Sequence, residues 1–431
     1  MTAPASRVVR RRGSPIAKPR QEAPEVRALR ALRRIVQFGG LVWEAFLHPD
    51  PTGAAPLDPF LPTASDDDVL RALAPSWRPA STALEAPLPH EAALIERMAR
   101  LAAQTVLDNH RQAAATTPGA RALRDQHPKA HGVVDAEFVV RDDLPADLVG
   151  GVFHPGRRYR AVARFSNAVS TPQSDRKWDG RGLALKLLDV PERTILSELV
   201  PGQAAEQDFL FGSYPVFFLR NVDDYVKFMD AVKQPKRPWR QGLVWAAKWA
   251  VFIAGHPRLM LILLETITRR VDDPLSVTYH SMSAYAFGDR VVRYLVRLRE
   301  GQDLPGRMER RQSDNFLRAA LVDDLERVRN PGKTIVLDFC VQLRHGATRD
   351  DVDDASRRWT GPLDRTISVA AVEIPPQEFA TPEQDLVGDN RSFNPWNCLP
   401  QHRPLGSLNR MRLAVYLASR EARHKLNMLT P

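Results

Sequence analysis

Near its C-terminus the chain places a tyrosine and an arginine where they can act on one another. Arg412 precedes Tyr416 by four residues, and residues four apart share one face of a helix. An arginine in that position can donate a charge-assisted hydrogen bond to a phenolate oxygen. Free tyrosine loses its proton only near pH ~10, so a phenolate at neutral pH needs positive charge beside it. The pair therefore indicates a helix that can present an anionic oxygen.

The segment RDQHPKAHG, residues 124–132, contains two histidines that could move protons. Histidine titrates closest to neutral pH and is the most frequent general acid–base group in enzymes. His127 stands between an arginine and a lysine, and His131 follows it one helical turn later. Either histidine could be the functional residue; the alternative is that both are surface histidines.

The chain also contains four segments that are informative as an ordered set. They are RDQHPKAHG (124–132), VARFSN (162–167) followed by DGRGLALK (179–186), GSYPVFFLRN (212–221), and SFNPWNCLPQHRPLGSLNRMRLAVYLASREARH (392–424). In this order they resemble the haem catalases and their smaller relatives, which include enzymes that convert lipid hydroperoxides. The resemblance covers about Glu91 to the C-terminus.

The resemblance implies a haem site whose distal side comes from the first two segments. Family members place the distal histidine in an RxxHxK pattern, which Arg124, His127 and Lys129 fill. They also have an RFS strand, matched here by Arg164 and Ser166, in which the arginine faces the haem and the serine supports the histidine. His127 is expected to take a proton from a bound hydroperoxide and return it to the departing oxygen. Such acid–base work typically contributes ~10²–10⁴ in rate.

The last segment implies the proximal side of the haem. The family's iron ligand is a tyrosine in an RxxxY pattern with another arginine seven residues later, which corresponds to Arg412, Tyr416 and Arg423. Tyr416 is therefore expected to be the axial ligand of haem b, since a tyrosinate suits ferric iron. Arg124, Arg164 and Arg423 are expected to neutralise the two haem propionates, because the guanidinium fork matches a carboxylate.

The third segment implies aromatic contacts to the porphyrin and departs from the family at one position. Phe217 or Phe218 is expected to pack against the porphyrin. Catalases have an asparagine just before this segment's proline, where it helps to orient the peroxide, and here Ser213 or Gly212 takes its place. Ser213 could still donate a hydrogen bond, over a shorter reach. The departure argues against efficient dismutation of hydrogen peroxide more than against haem binding.

These features favour a haem-dependent hydroperoxidase. Its activity is expected to be that of a peroxidase, a weak catalase or an enzyme that rearranges a fatty-acid hydroperoxide, with hydrogen peroxide or an organic hydroperoxide as substrate. Two alternatives remain: a haem-binding carrier or sensor without fast turnover, and a haem-free barrel that binds a lipid. The chain has no GxGxxG, P-loop, GxSxG or HExxH pattern, which argues against nucleotide and simple serine-hydrolase chemistry.

The elements that must position these residues are short strands bounded by Gly, Pro, Asp or Asn. Eight segments have β-branched or alternating character, and they do not alternate regularly with helices. This favours an α+β protein built on a closed eight-stranded antiparallel β-barrel with flanking helices, His90–His110 and Ser407–Leu426 among them. The predicted strands are Val133–Val140, Tyr159–Phe165, Leu183–Leu188, Asp208–Leu219, Leu275–Tyr285, Val291–Leu298, Thr334–Leu343 and Thr366–Ile374.

The positive charge is concentrated at the N-terminus. The net charge is +10, and the residues up to Arg34 contain ten basic and two acidic side chains. Val26–Leu47 has the spacing of a basic amphipathic helix, which either packs on the body or lies on an anionic membrane surface. We divide the chain into a basic disordered arm, amphipathic helix and linker, residues 1–85, and a catalase-like haem-binding domain, residues 86–431. A nearly neutral body argues against nucleic-acid binding.

Two further features bear on where the protein acts. Cys340 and Cys398 form no CxxC pair, which fits a reducing compartment and predicts a protein that is cytoplasmic, or peripheral at a membrane surface. The most apolar stretch, Gly242–Ile267, is interrupted by charged residues and a proline. It predicts two short helices under a lid rather than a membrane span, with an interfacial surface as the alternative. The sequence is also compatible with an oligomer.

Overall fold

The computed structural model of the chain describes residues 84–85, 87–200, 202–232, 249–302, 304, 313–326, 332–361 and 364–428. All of them belong to one compact unit of the chain, residues 53–431. The predicted arm, the amphipathic helix Val26–Leu47 and the linker up to residue 83 lie outside the described residues. The domain boundary at residue 85 therefore stays a prediction.

The secondary structure of the described residues is mixed. The strands are β1 Ala130–Val140, β2 Arg158–Asn167, β3 Arg181–Leu187, β4 Gln207–Gly212, β5 Tyr279–His280, β6 Tyr285–Phe287, β7 Arg290–Leu298, β8 Ile335–Arg344 and β9 Thr366–Ile374. The α-helices are α1 Glu91–Thr116, α2 Ile195–Leu199, α3 Val222–Val232, α4 Trp249–Gly255, α5 Pro257–Thr268, α6 Phe316–Leu325, α7 Arg349–Asp353, α8 Pro382–Asn390 and α9 Ser407–Leu426.

The strands close into an antiparallel barrel. Neighbouring strands follow the order β1–β2–β3–β4–β5–β7–β8–β9, and β9 pairs with β1 again. Strand β6 continues the line of β5, because Tyr279–His280 and Tyr285–Phe287 pair with successive parts of β7. The predicted closed eight-stranded antiparallel barrel with flanking helices is thus confirmed.

Two of the predicted strands differ from those observed. The prediction of a strand over 208–219 is wrong beyond Gly212, where β4 ends, and the chain then turns through Pro215, which lacks the N–H needed for a ladder bond. The prediction of a continuous strand over 275–285 is also wrong. That region contains only the two short strands β5 and β6, interrupted by residues 281–284.

Aromatic side chains fill the inside of the barrel. Phe209 lies 4.9 Å from Phe339 and 5.1 Å from Tyr294, measured between ring centroids in edge-to-face contact. The core includes odd-numbered residues of β2, β3 and β4, namely Ala161, Ala163, Phe165, Leu183, Leu185, Leu187, Phe209 and Phe211. Because successive side chains of a strand point to opposite faces, the even-numbered residues of these strands face the outside of the barrel.

Helix α9 packs beside α1 on the outside of the barrel. Its apolar residues Leu408 and Met411 share a buried cluster with Ile95 and Met98 of α1. Arg410, which is 3% exposed, donates to the Glu91 carboxylate at the start of α1 and to Glu85 at 2.9 Å. These contacts fix the orientation of α9, and with it the face that α9 turns toward the barrel.

The described part of the apolar stretch, residues 249–267, forms the two helices that the sequence predicts. Helices α4 and α5 meet at a bend of 99°. Within the described ranges, no single helix has the length and apolarity to cross a bilayer, and α4 and α5 meet that criterion only as a bent pair.

Candidate active site between the barrel and helix α9

A cavity of about 220 Å³ lies between the outer face of the barrel and helix α9. One side, which we call the strand wall, consists of cavity-lining residues from β2, β3 and β4 together with His127 and Met282. The opposite side, which we call the helix wall, consists of the cavity-lining residues of α9. Side chains from the loop after β4, from α3 and from residues 392–393 close the remaining edges.

Small side chains make the strand wall open to a ligand. Two rows of paired residues cross β2, β3 and β4 on its outer face. They are Arg164, Ala184 and Leu210 in one row, and Ser166, Gly182 and Gly212 in the next. A Cβ atom added at Gly182 would lie 2.5 Å from the ring of His127, so only glycine lets the imidazole rest on the sheet.

His127 is held in an unusual backbone conformation on this wall. Its φ is +57°, in the left-handed region, and its carbonyl accepts a hydrogen bond of 2.8 Å from Arg164. Its Nδ1 is hydrogen-bonded to Ser166 Oγ at 3.1 Å, which leaves Nε2 as the ring nitrogen available to a substrate. Burial, followed by the positive charge of Arg164, lowers the pKa of His127 to about 4. The imidazole is therefore neutral at pH 7 and able to accept a proton.

Arg412 and Tyr416 meet on the helix wall as their spacing predicts. Arg412 Nη2 donates to the Tyr416 hydroxyl at 3.3 Å, and Nη1 donates to the Tyr285 hydroxyl at the same distance. Burial by itself would lower the pKa of Arg412. The interactions with the Tyr416 and Tyr285 oxygens have the larger effect, so the pKa of Arg412 is raised. The guanidinium is a permanent cation, so the Tyr416 oxygen lies beside a fixed positive charge.

Three arginines form a positively charged edge of the cavity. Arg124, Arg164 and Arg423 come from three separate elements and all line it. Burial lowers the pKa of each; the charge of Arg124 lowers those of Arg164 and Arg423 further, and Arg423 reaches about 9. Arg164 Nε and Arg423 Nε and Nη1 are buried without a hydrogen-bond partner among the described residues. The charge of Asp389 acts on all three arginines and offsets part of this lowering, and the free guanidinium donors are groups that a further anion would satisfy.

The cavity brings together most of the residues that the sequence analysis selects. The residues that line it are Arg124, His127, Arg164, Ser166, Phe217, Arg412, Tyr416 and Arg423. Ser213 is not among the lining residues, because its hydroxyl accepts a hydrogen bond of 3.0 Å from the backbone N–H of Arg181. Phe218 is also outside the lining; it packs against Phe228, with ring centroids 5.0 Å apart.

The sequence analysis does not select some of the other residues that line the cavity. Ser419 lies on the helix wall, seven residues after Arg412, and the helical period could have found it. Asp125 and Tyr225 lie at the edge, and burial raises the pKa of both side chains. Met282 has no sequence signal, because it enters from the unpredicted interruption between β5 and β6. No group of three His, Cys, Asp or Glu side chains suited to a bare metal ion occurs in the part of the chain that the structure describes.

The sequence matches no protein-family model and no curated protein. The fold is similar to that of a fungal catalase, with a TM-score of 0.54 at 15% identity over 74% of this chain and 63% of that one. Catalase A from Saccharomyces cerevisiae gives 0.52 at 16% over 75% and 66%, and a bacterial catalase gives 0.52 at 16% over 90% and 68%. The chain thus spans about two thirds of the length of these catalases, and it has a catalase-like fold.

Proposed function

We propose that this chain is a haem-dependent hydroperoxidase that binds haem b in the cavity between the strand wall and the helix wall. One observation carries the proposal. A neutral histidine on one wall faces a tyrosine–arginine pair on the other, with three buried arginines at the edge. The proposed activity is that of a peroxidase or weak catalase, with hydrogen peroxide or an organic hydroperoxide as substrate.

The residues present fit the proposed cofactor. Haem b carries two propionates, and the unpartnered guanidinium donors of Arg164 and Arg423 are groups that two carboxylates would satisfy. Tyr416, with Arg412 donating to its oxygen, provides an anionic ligand suited to ferric iron. Phe217 lines the cavity and offers an aromatic face for a flat ring.

The bound haem would supply the iron that exchanges electrons with the peroxide. His127 would move the proton: Nε2 takes it from the inner oxygen of the hydroperoxide and delivers it to the outer oxygen as the O–O bond breaks. Ser166 holds the ring through Nδ1 at 3.1 Å. A peroxidase cycle converts one hydroperoxide and two phenolic one-electron donors to an alcohol, water and two phenoxyl radicals. A catalase cycle converts two hydrogen peroxide molecules to oxygen and two water molecules.

The solved structures of similar fold support this proposal through their fold, because each is described as a catalase. Cys340 and Cys398 are both buried and free, which is consistent with the further proposal that the protein works in the cytoplasm.

An absorption spectrum tests the proposal. The protein is produced with added haem precursor, purified, and mixed with hydrogen peroxide or cumene hydroperoxide in the presence of a phenolic donor. We expect a Soret band of tyrosinate-ligated ferric haem and turnover of at least one peroxide. A coloured protein without turnover would indicate a haem carrier or sensor. A colourless protein that also fails to bind added hemin would contradict haem binding altogether.

A further inference from the structure

We propose that helices α4 and α5 dock the protein on the surface of a bilayer that contains anionic lipids. The proposal concerns the outside of the molecule and is independent of haem binding and of peroxide turnover. It starts from exposed apolar residues at the bend between the two helices, which we call the apolar tip. They are Ala250, Val251, Ile253, Ala254, Gly255 and Pro257, together with Leu261 one turn further along α5.

The apolar tip exposes large side chains that soluble proteins usually bury. Val251 is 73% exposed, Leu261 51% and Ile253 42%. No Lys, Arg, Asp or Glu occurs between Trp249 and Pro257 to interrupt them. Single exposed apolar residues are ordinary on a protein surface, whereas an uninterrupted group of them marks an interaction surface. The tip is therefore a surface that a partner covers.

The opposite face of the helix pair is bound to the body of the protein. Its buried side chains are Trp249, Phe252, Leu259, Met260, Ile262 and Leu264. Phe252 packs against Phe228 of α3, with ring centroids 5.8 Å apart. At the bend, His256 Nδ1 donates to the Phe252 carbonyl at 3.0 Å, and Nε2 lies 3.5 Å from Asp224 Oδ1. Because one face of the pair contacts protein along its length, lipid can reach only the tip, so the pair lies on a bilayer surface rather than across the bilayer.

The charge around the tip matches an anionic surface. From residue 231 to residue 270 the sequence contains eight lysines and arginines and a single acidic residue, Glu265. Glu265 accepts a hydrogen bond from the Tyr214 hydroxyl and lies 3.6 Å from Arg358, so its charge is compensated within the protein. The exposed basic residues that follow the tip are Arg258, Arg269 and Arg270. An apolar face flanked by basic residues is typical of a helix that lies in the interface of an anionic membrane.

The same segment is also rich in tryptophan, and a second apolar pair on the surface lacks these features. Three of the eight tryptophans lie between residues 231 and 270, and tryptophan is enriched where a membrane meets water. By contrast, Leu386 and Val387 of α8 are 42% and 47% exposed, but Glu383, Asp385 and Asp389 make that helix acidic. An anionic membrane would repel α8, which makes its apolar pair the matched control for the tip.

Cosedimentation with vesicles tests the proposal on the full chain. The vesicles contain either equal parts of phosphatidylcholine and phosphatidylglycerol or phosphatidylcholine alone. We expect the double variant Val251→Asn/Ile253→Asn to bind the mixed vesicles about tenfold or more weakly than the parent protein. The control Leu386→Asn/Val387→Asn should stay within about twofold of the parent protein. The parent protein should bind vesicles of phosphatidylcholine alone about tenfold or more weakly, because they lack the anionic charge.

A fluorescent label shows which part of the chain enters the lipid. Cys340 and Cys398 are buried, so an environment-sensitive fluorophore reacts with the new thiol of Val251→Cys in the folded protein. We expect its emission to shift to the blue when the mixed vesicles are added. The same label on Leu386→Cys should show no shift. This separates docking through the tip from vesicle binding through the basic N-terminal residues.

Several results would overturn the proposal. One is a parent protein that does not bind the mixed vesicles, or that binds vesicles of phosphatidylcholine alone equally well. Another is vesicle binding that persists in Val251→Asn/Ile253→Asn while the label at residue 251 stays in water, which would assign the contact to another part of the chain. A blue shift that appears without vesicles and grows with protein concentration would show instead that a second copy of the chain covers the tip.

Discussion

The helix wall of the cavity is a regular helix, whereas the strand wall depends on backbone conformations that most residues avoid. Arg412 and Tyr416 stand within the 20 residues of α9, and their contact follows from a spacing of four. On the strand wall, His127 has a φ of +57° and Met282 a φ of +60°, and each such residue costs on the order of 1–3 kcal/mol. Surrounding hydrogen bonds hold both in place.

From this difference we infer that the two walls have different functions. In the proposed function, the regular helix would hold the iron ligand without strain, and the arginine edge would hold the haem carboxylates. Strained residues persist only where the surrounding structure fixes them, and they cluster where a group must be held in one position. We therefore expect changes on the helix wall to alter haem affinity, and changes on the strand wall to alter turnover.

The largest expected effect is on the strand wall. His127→Ala removes the neutral imidazole and should lower kcat/KM for hydroperoxide by about 10²–10⁴-fold, while the Kd for hemin changes by less than about threefold, because the variant removes no proposed haem ligand. Both are measured on the purified protein, with His154→Ala as the control, since His154 is exposed. An equal loss of hemin affinity and turnover in His127→Ala would contradict the division between the walls.

A smaller effect is expected at the arginine edge, where one substitution should stabilise the hemin-free protein and weaken its binding of hemin. The pKa of Arg423 is lowered to about 9 by burial and then by Arg124, and part of its guanidinium has no partner. Arg423→Met should therefore raise the free energy of unfolding of the hemin-free protein by about 1–3 kcal/mol, while weakening hemin binding by about 10–100-fold. Urea unfolding and hemin titration measure the two quantities.

Arg410→Met on the same helix is the matched control for Arg423→Met. Arg410 is equally buried, but Glu85 and Glu91 pair with it. Glu85 keeps its ion pair with Arg403, but removing Arg410 takes the ion-pair partner from the buried Glu91 carboxylate and should lower the free energy of unfolding by about 3–5 kcal/mol. If Arg423→Met destabilised the hemin-free protein as Arg410→Met does, the edge would not be a site prepared for an anion.

The smallest expected effect is the pH dependence that His127 gives to the free energy of unfolding and to kcat/KM. Burial lowers the pKa of His127 to about 4, against about 6.5 for a free histidine. The unfolded chain therefore binds more protons than the folded one between pH ~6.5 and ~4, so His127 makes the free energy of unfolding fall as pH decreases through this window. The same histidine should keep kcat/KM constant down to pH ~5 and halve it near pH 4, measured after a rapid pH jump. A fall of kcat/KM with its midpoint near pH 6.5 would show that His127 is hydrated, and it would contradict the lowered pKa.

The helix wall was the more predictable side of the site. Arg412 and Tyr416 could be predicted because a helix converts a spacing of four into contact, and six of the eight strands could be predicted from their alternation. The end of β4 was missed because the apolar residues after Gly212 resemble a strand although Pro215 breaks the ladder. Met282 could not be found, because a turn with positive φ at this residue has no composition signal and its position depends on pairing between β5, β6 and β7.

The most direct test of the account is the identity of the iron ligand. Resonance Raman spectra of the hemin-loaded protein are recorded with excitation in the tyrosinate-to-iron charge-transfer band, for the parent chain, Tyr416→Phe and Tyr225→Phe. Tyr225 serves as the control because it lines the same cavity. We predict tyrosinate ring modes in the parent chain and in Tyr225→Phe, and their loss in Tyr416→Phe. Tyrosinate modes that persist in Tyr416→Phe, or that are absent from the parent chain, would contradict the assignment of Tyr416.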